Sequence, residues 1–201
     1  FKQRPFFCTR VKKTDRDDWG KLKRILKYLN GTKHMKLVLM VDTMSIIRWW
    51  VDSSYNTHWD SKGHTGEMMS LGKGAVISTS NKQKLNVNSS TEREFVGSHD
   101  VILDVLYTLY FIEAQGCSID KNIMYQDNQS INRLMKNERI SSTNRTKLIN
   151  AKYFLIKDYV ECGEIDLKHC PAKYMWANDL TKPKQRGRFR KDRAHLMNMP
   201  T

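Results

Sequence analysis

The stretch SIIRWWVDSSY, residues Ser45–Tyr55, decides the predicted fold. Its β-branched and aromatic residues favour an extended strand, and the strand carries a carboxylate, Asp52. The stretch GEMMSLGKGAVISTSN follows, and its glycines predict a hairpin that turns near Gly72 to Gly74. Consecutive strands joined in this way predict an antiparallel meander at the start of the sheet.

The rest of the chain alternates helices with strands. Apolar residues at helical spacing after NSST predict a long helix that ends at Gly116, and NIMYQ predicts the fourth strand. A helix over 128–136, a further helix, the strand EIDLKHC and a short helix after Pro171 complete the order. This order predicts an α/β fold in which a mixed sheet has three antiparallel strands and then two parallel additions. Helices are expected on both faces of this five-stranded sheet.

The composition points to a polyanionic partner. The 201 residues include 35 Lys and Arg against 21 Asp and Glu, which gives a net charge of +14. Nucleic acid is the usual partner of so basic a domain, and a basic surface that serves solubility alone is the alternative. The four cysteines are far apart, which favours free thiols in a reducing compartment over a zinc or disulfide framework. We expect no membrane span and no signal peptide.

Four acidic residues occupy comparable places in the predicted elements: Asp52, Glu94, Asp127 and Asp179. Each has a local alternative, because Glu94 could form a capping box with Thr91 and the others could cap helices or decorate turns. If the four converge, they offer the oxygen ligands that two Mg²⁺ ions need, with Mn²⁺ as a substitute. Two such ions can activate water and stabilise the leaving oxygen of a phosphodiester.

From Arg10 to Pro183 the chain resembles the end of a copia-type retrotransposon polyprotein, the last part of the reverse transcriptase followed by its ribonuclease H domain. The matching segments, in order, are LKRILKYLNGT, WWVDSSY, SKGHTGEMMSLGKGAVISTSNKQ, SSTEREF, YQDNQS, NRTK, GEIDLKHCP and ANDLTKP. The resemblance implies a ribonuclease H-like fold and a metal-dependent endonuclease that hydrolyses the RNA strand of RNA–DNA hybrids. It places the first three catalytic acids on Asp52, Glu94 and Asp127, and the fourth on or beside Asp179.

The chain departs from the pattern of that family at three positions, and one of them is Ser54, where the family often has an acidic residue. Asn178 stands where the family has its last Asp, and Asp179 follows one residue later. Leu148 stands where the family has a His. Glu92 also competes with Glu94 for the metal, and Glu94 is preferred because it aligns with the catalytic Glu. The departures favour an alternative in which the domain is a catalytically weak or inactive nucleic-acid-binding module. An integrase-type transferase on the same fold is a further alternative, which the YQDNQS and ANDLTKP pair does not suit.

Small polar and basic residues near the acids are the candidates for substrate contact. The polar set, which could recognise the 2′-hydroxyl of RNA, is Ser53, Ser90, Thr91, Asn128 and Gln129. The basic set, which could bind phosphates, is Lys82, Lys84, Arg145 and Lys147. Capping, turn formation and solvated faces are the alternatives for both sets.

Three segments are expected along the chain. Residues 1–43 are predicted to be a remnant of the reverse transcriptase, 44–182 the ribonuclease H domain, and 183–201 a basic and flexible tail. The implied partners are an RNA–DNA hybrid and the reverse transcriptase part of the same polyprotein, and the isolated domain is expected to be a monomer. The resemblance implies an intracellular location, in a cytoplasmic virus-like particle or the nucleus.

Overall fold

The structure is a computed structural model, and it describes residues 14–54, 58, 60–87, 90–129, 147–182, 184 and 186–199. The side chains of residues 90, 91, 147–151 and 186 are outside this description. The helices are α1 (Arg16–Thr32), α2 (Ser90–Ala114), α3 (Lys147–Glu161), α4 (Asn178–Thr181) and α5 (Arg186–Met197), with a short 3-10 turn at Ala172–Tyr174. The strands are β1 (Met40–Val41), β2 (Ile46–Ser54), β3 (His64–Ser70), β4 (Gly72–Lys73), β5 (Ile77–Lys82), β6 (Lys121–Gln126) and β7 (Asp166–His169). Most of the helix predicted over 128–136 lies outside the described residues.

A mixed five-stranded sheet forms the centre of the fold, with the strand order β5-β3-β2-β6-β7. The pairs β2–β3 and β3–β5 are antiparallel, as the predicted meander requires. The pairs β2–β6 and β6–β7 are parallel, since helices connect these strands in the chain. The predicted α/β fold class is therefore confirmed.

The main core lies between one face of the sheet and helices α2 and α3. Alternate residues of β2 point to this face, because successive side chains of a strand point to opposite sides. Trp49 and Val51 are therefore completely buried against Ile102 and Val105 of α2 and Ile156 of α3. This packing holds α2 across the central strands and fixes the position of its N-terminal turns.

The opposite face of the sheet is covered by α4 and α5. Met68 of β3 packs there with Leu180 of α4, and Trp50 of β2 lies at the border of the same cluster. Gly66 permits this contact, because a Cβ atom at that position would lie 2.6 Å from Cβ of Leu180. Gly66 is also the register partner of Asp52, so the close approach brings α4 directly over Asp52.

The two terminal segments contact each other and the hairpin of the sheet. Strand β1 pairs with β4 in an antiparallel arrangement, and the backbone N–H of Val38 donates to the carbonyl of Met197. Arg193 of α5 donates to the hydroxyl of Tyr28 in α1 at 2.9 Å. The prediction of a flexible tail is wrong for residues 186–197, because buried Ala194 and Asp192 anchor α5 as a helix on the domain.

The apolar stripe of α1 is largely exposed within the described residues. Trp19 is 57% exposed, and Leu26 and Leu29 are similarly open. The segment boundary at residue 43 stays a prediction.

Helix α2 is long and apolar enough to cross a membrane when judged by length and composition alone, in contrast to the expectation from the sequence. The window Glu92–Ala114 has a mean hydropathy of 1.3, and 61% of it is buried inside the fold. It is thus the central packing helix of the domain, and core helices commonly reach this composition.

Candidate metal centre

Three of the four predicted acids converge. Each of Asp52, Glu94 and Asp127 offers an oxygen atom, and these atoms lie within 4.8 Å of one another. The register explains the meeting of the two aspartates: Trp50 of β2 pairs with Tyr125 of the parallel β6, and each aspartate lies two residues beyond its member of that pair. Glu94 is added from the N-terminal part of α2.

Burial and mutual repulsion dominate the electrostatics of this cluster. Asp52 is 0% exposed, Glu94 is 9% exposed and Asp127 is half-buried. Burial is the main cause that raises the pKa of Glu94 well above its ordinary value, and the charges of Asp52 and Asp127 raise it further. Burial, followed by the charge of Asp52, also raises the pKa of Asp127. Within the described part of the chain, Oε2 of Glu94 has no hydrogen-bond partner.

Asp52 is held by two residues at the end of α4. The hydroxyl of Thr181 donates to Oδ2 of Asp52, and Nζ of Lys182 donates to Oδ1 at 3.2 Å. The same Nζ atom lies 2.6 Å from Oδ1 of Asn178, whose Nδ2 donates to the carbonyl of Ala172 at 3.3 Å. The ammonium group of Lys182 therefore bridges Asp52 and Asn178. Asn178 is the position at which the resembling family has its fourth acid.

The expectation that Asp179 joins the other three acids is corrected by the structure. Asp179 forms an ion pair with Lys184, whose Nζ also lies 2.8 Å from Oδ2 of Asp192 in α5. Successive residues of a helix are rotated by about 100°, so Asn178 and Asp179 cannot face the same way. Asn178 instead contacts the ammonium group of Lys182 that binds Asp52, and an amide stands there in place of a carboxylate.

The structure distinguishes the two glutamates of α2 by their positions. Glu94 belongs to the three-acid cluster, and half-buried Glu92 does not. Whether Glu94 binds metal stays a prediction.

Ser53 does not meet the expectation of an accessible substrate contact. Its side chain is buried, and its hydroxyl accepts a hydrogen bond from Nε2 of Gln83 at 3.3 Å. A Cβ atom at Gly97 would lie 2.0 Å from this hydroxyl, so Gly97 provides the space in which Ser53 packs against α2. Ser53 follows Asp52 directly and therefore points to the opposite face of the sheet.

The other predicted contact residues differ in position. Asn128 is half-buried and Gln129 is exposed, directly after Asp127. Lys82 is paired with Asp60 at 2.7 Å. Lys84 is exposed, Arg145 lies outside the described residues, and only the backbone is described at Ser90, Thr91 and Lys147.

Sequence reasoning missed Thr181 and Lys182 as parts of the site. Their signal was available in ANDLTKP, because they follow Asn178 by three and four residues and so share one side of a helical turn.

Comparisons with known proteins give relatives for most of the chain. No protein-family model matches it. The chain is 26% identical over 175 residues to the Retrovirus-related Pol polyprotein from transposon TNT 1-94 of Nicotiana tabacum, covering 87% of this chain and 13% of the relative. It is 28% identical over 175 residues to the corresponding polyprotein from transposon RE2 of Arabidopsis thaliana, covering 86% of this chain and 12% of the relative.

Solved structures with a similar arrangement include ribonucleases H. LC11-RNase H1 in complex with RNA/DNA hybrid is 15% identical at a TM-score of 0.47, covering 67% of this chain and 93% of that chain. The protease-reverse transcriptase of prototype foamy virus is 10% identical at a TM-score of 0.41, covering 78% of this chain and 21% of that chain.

The sequence relatives agree with the resemblance carried by the motifs, and the chain spans about an eighth of their length. Over most of its own length, this chain is a homologue of the Pol polyproteins of copia-type retrotransposons.

Proposed function

We propose that this domain is a metal-dependent endonuclease that hydrolyses the RNA strand of RNA–DNA hybrids during the reverse transcription of a retrotransposon. The observation that carries the proposal is the convergence of Asp52, Glu94 and Asp127 within 4.8 Å in a strongly basic chain. A protein that only bound phosphates would have little reason to gather three acids, two of them buried, beside its ligand. The homology to Pol polyproteins supports the same reading, because reverse transcription produces such hybrids.

The three acids fit a divalent cation. The unpartnered Oε2 of Glu94 and the raised pKa values of Glu94 and Asp127 describe a site whose negative charge the protein compensates only in part. Oxygen ligands of this kind suit Mg²⁺, with Mn²⁺ as a substitute. When bound, such an ion provides Lewis-acid stabilisation for the displacement at a phosphodiester.

The other residues of the site orient the acids. Thr181 and Lys182 fix both carboxylate oxygens of Asp52, and the backbone N–H of Ser53 donates to Glu94. These contacts hold the side chains in place before the substrate arrives, which lowers the cost of organising the site during reaction.

The substrate is proposed to lie along the open side of the site. We assign Gln129 and half-buried Asn128, which follow Asp127, to contacts with the RNA strand, and exposed Lys84 to contacts with phosphates. The remaining proposed contacts are Ser90, Thr91, Lys82, Arg145 and Lys147. The reverse transcriptase part of the same polyprotein is the proposed protein partner.

The setting of the domain is part of the proposal. Residues 1–43 are assigned to the reverse transcriptase side, 44–182 to the nuclease and 183–201 to a basic terminal segment. The proposed state is a monomer inside a cytoplasmic virus-like particle.

The test compares a hybrid, an RNA duplex and a DNA duplex of one sequence, each with Mg²⁺. We expect cleavage of the RNA strand of the hybrid alone. Asp127→Asn keeps the shape of the side chain but loses charge, so hybrid cleavage should fall by more than about 100-fold, beyond the loss typical of a residue that only supports a ligand. Hybrid binding and thermal unfolding should change little. Wild-type-like cleavage by this variant would refute the assignment.

A second candidate function is a nucleic-acid-binding module that has lost most of its chemistry. The observation that favours it is Asn178 at the position of the fourth acid, with Asp179 paired to Lys184 instead. This candidate predicts hybrid binding without cleavage in either Mg²⁺ or Mn²⁺. It also predicts that Asn178→Asp, which supplies the missing carboxylate, produces cleavage.

A further inference from the structure

We propose that Lys182 is a built-in counter-ion of the carboxylate cluster and limits the site to one divalent cation. The inference rests on the proposed function, because it takes Asp52, Glu94 and Asp127 to be a metal centre. It differs from the sequence expectation of two ions and assigns a positioning role to a residue outside the predicted set.

The ammonium group of Lys182 is held in place from two sides. Its Nζ lies 3.2 Å from Oδ1 of Asp52 and 2.6 Å from Oδ1 of Asn178. The backbone helps, because Lys182 ends α4 in an extended conformation and its N–H donates to the carbonyl of Asn178. The side chain is 48% exposed, yet the carboxylate that it binds is completely buried. A buried carboxylate needs a partner, so this contact differs from an ordinary surface ion pair.

The influence of Lys182 reaches the other two acids. Its Nζ contacts Asp52, and an oxygen atom of Asp52 lies within 4.8 Å of oxygen atoms of both Glu94 and Asp127. One lysine thus acts on all three acids of the cluster.

The net charge of the site matches that of a single divalent cation. Three ionised carboxylates carry three negative charges and Lys182 carries one positive charge, which leaves two negative charges. One divalent cation neutralises that remainder, and a second would leave an excess of two positive charges. Asn178 contributes an oxygen without a charge, and that oxygen is already occupied by Lys182.

The experiment titrates the purified chain with Mn²⁺ by calorimetry and counts ions by equilibrium dialysis. We expect one Mn²⁺ per chain for the wild type. Lys182→Met removes the competing charge, so it should bind Mn²⁺ on the order of tenfold more tightly, as expected for like charges a few ångströms apart near the surface. Lys182→Arg keeps the charge and should bind Mn²⁺ as the wild type does. In the double variant N178D/K182M, we expect two ions per chain.

Lys121→Met is the matched control. It removes an exposed lysine at the start of β6, and Asp127 follows the other end of that strand. Its Mn²⁺ affinity should equal that of the wild type. Thermal unfolding of each metal-free variant establishes that it is folded before titration.

The outcomes separate this inference from the proposed function. Tighter Mn²⁺ binding by Lys182→Met, with Lys182→Arg and Lys121→Met unchanged, supports the counter-ion role. If the wild type binds Mn²⁺ and Lys182→Met binds it equally or more weakly, the counter-ion role is overturned while the metal centre stands. If neither protein binds Mn²⁺, both the counter-ion role and the metal centre are overturned.

Discussion

Asp179 forms an ion pair with Lys184, and this pair lies next to the buried Asp192 of α5. The contact makes Asp179 a link between α4 and α5. Asp179→Asn should therefore leave Mn²⁺ affinity unchanged and lower the free energy of unfolding by about 1 kcal/mol, because Lys184 keeps Asp192 as a partner. Calorimetric titration and thermal unfolding measure the two effects. Asp127→Asn serves as the comparison, and a loss of Mn²⁺ binding in Asp179→Asn as large as in that variant would contradict this assignment.

The metal should stabilise the fold more at high pH than at low pH. The pKa values of Glu94 and Asp127 are raised above the ordinary 4.5 and 3.8, so their contribution to stability is fully present below those values. It is lost as the pH rises through the raised values, since the folded protein then releases protons that it had retained. A bound cation compensates for the charge that develops.

The measurement is the melting temperature with and without Mn²⁺ at pH 5 and pH 8. At pH 8, an ion present at 100 times its Kd should add about 2.7 kcal/mol. The gain should be smaller at pH 5, because the ion must displace protons. The variant Asp127→Asn should lose most of the gain. An equal Mn²⁺ effect at the two pH values would count against the three acids as the binding site.

Glu67 is a buried acid outside the cluster and should make the fold less stable above neutral pH. Burial raises its pKa to about 7, while a hydrogen bond from Thr79 opposes the change and the nearby Asp104 adds to it. Its contribution to stability is present below pH 4.5 and is lost as the pH rises towards 7.

Glu67→Gln removes this titration and keeps an oxygen that can accept from Thr79. The variant should be more stable than the wild type at pH 8 by up to about 3 kcal/mol and similar to it below pH 4.5. Chemical denaturation across this pH range measures the difference. The exposed Glu113 at the end of α2 provides the control Glu113→Gln. A constant difference between Glu67→Gln and the wild type at all pH values would show that packing, rather than ionisation, is responsible.

The basic face of α5 should add affinity for nucleic acid without selecting RNA. Arg188, Arg190 and Lys191 are exposed on this helix, which packs beside α4 through the stacking of His195 on Trp176. Replacing the three by Ala should weaken hybrid binding and flatten the slope of log K against log salt by up to about 2.7, since each neutralised phosphate contributes about 0.9.

A charge-matched triple variant on α1 and its C-cap tests whether location matters. Arg24, Lys27 and Lys33 are also exposed, and their replacement by Ala removes the same charge. An equal change of salt slope in the two triple variants would show that binding follows total charge. Deletion of α5 is a poorer experiment, because it also removes the contacts of Asp192 and Arg193 with the rest of the domain.

The order of the strands along the chain and their antiparallel or parallel directions were predictable from the sequence. Alternating apolar residues around Trp49 and Val51 identify the central strand. The two-residue alternation of side chains is a local property of a strand, so it can be recognised without knowledge of distant contacts. Asp52 lies within the first predicted strand and Asp127 ends the fourth, but only the family resemblance implied that they meet, and the parallel pairing of β2 with β6 is a result of the tertiary structure. The motif match added Glu94, which lies on a helix whose entry point the local pattern does not fix.

The sequence by itself determined the α/β fold class, the basic character and the similarity of the chain to Pol polyproteins, because these follow from local periodicity, composition and ordered motifs. Only the tertiary structure decided that Asn178 faces the cluster and Asp179 faces Lys184. The orientation of helix α4 depends on two tertiary contacts. Gly66 lets α4 approach the sheet closely, and Lys184 binds Asp192 of α5. Local sequence patterns around α4 do not specify these contacts. Because neighbouring residues of a helix differ in direction by about 100°, Asn178 contacts the site while Asp179 has a structural contact with Lys184.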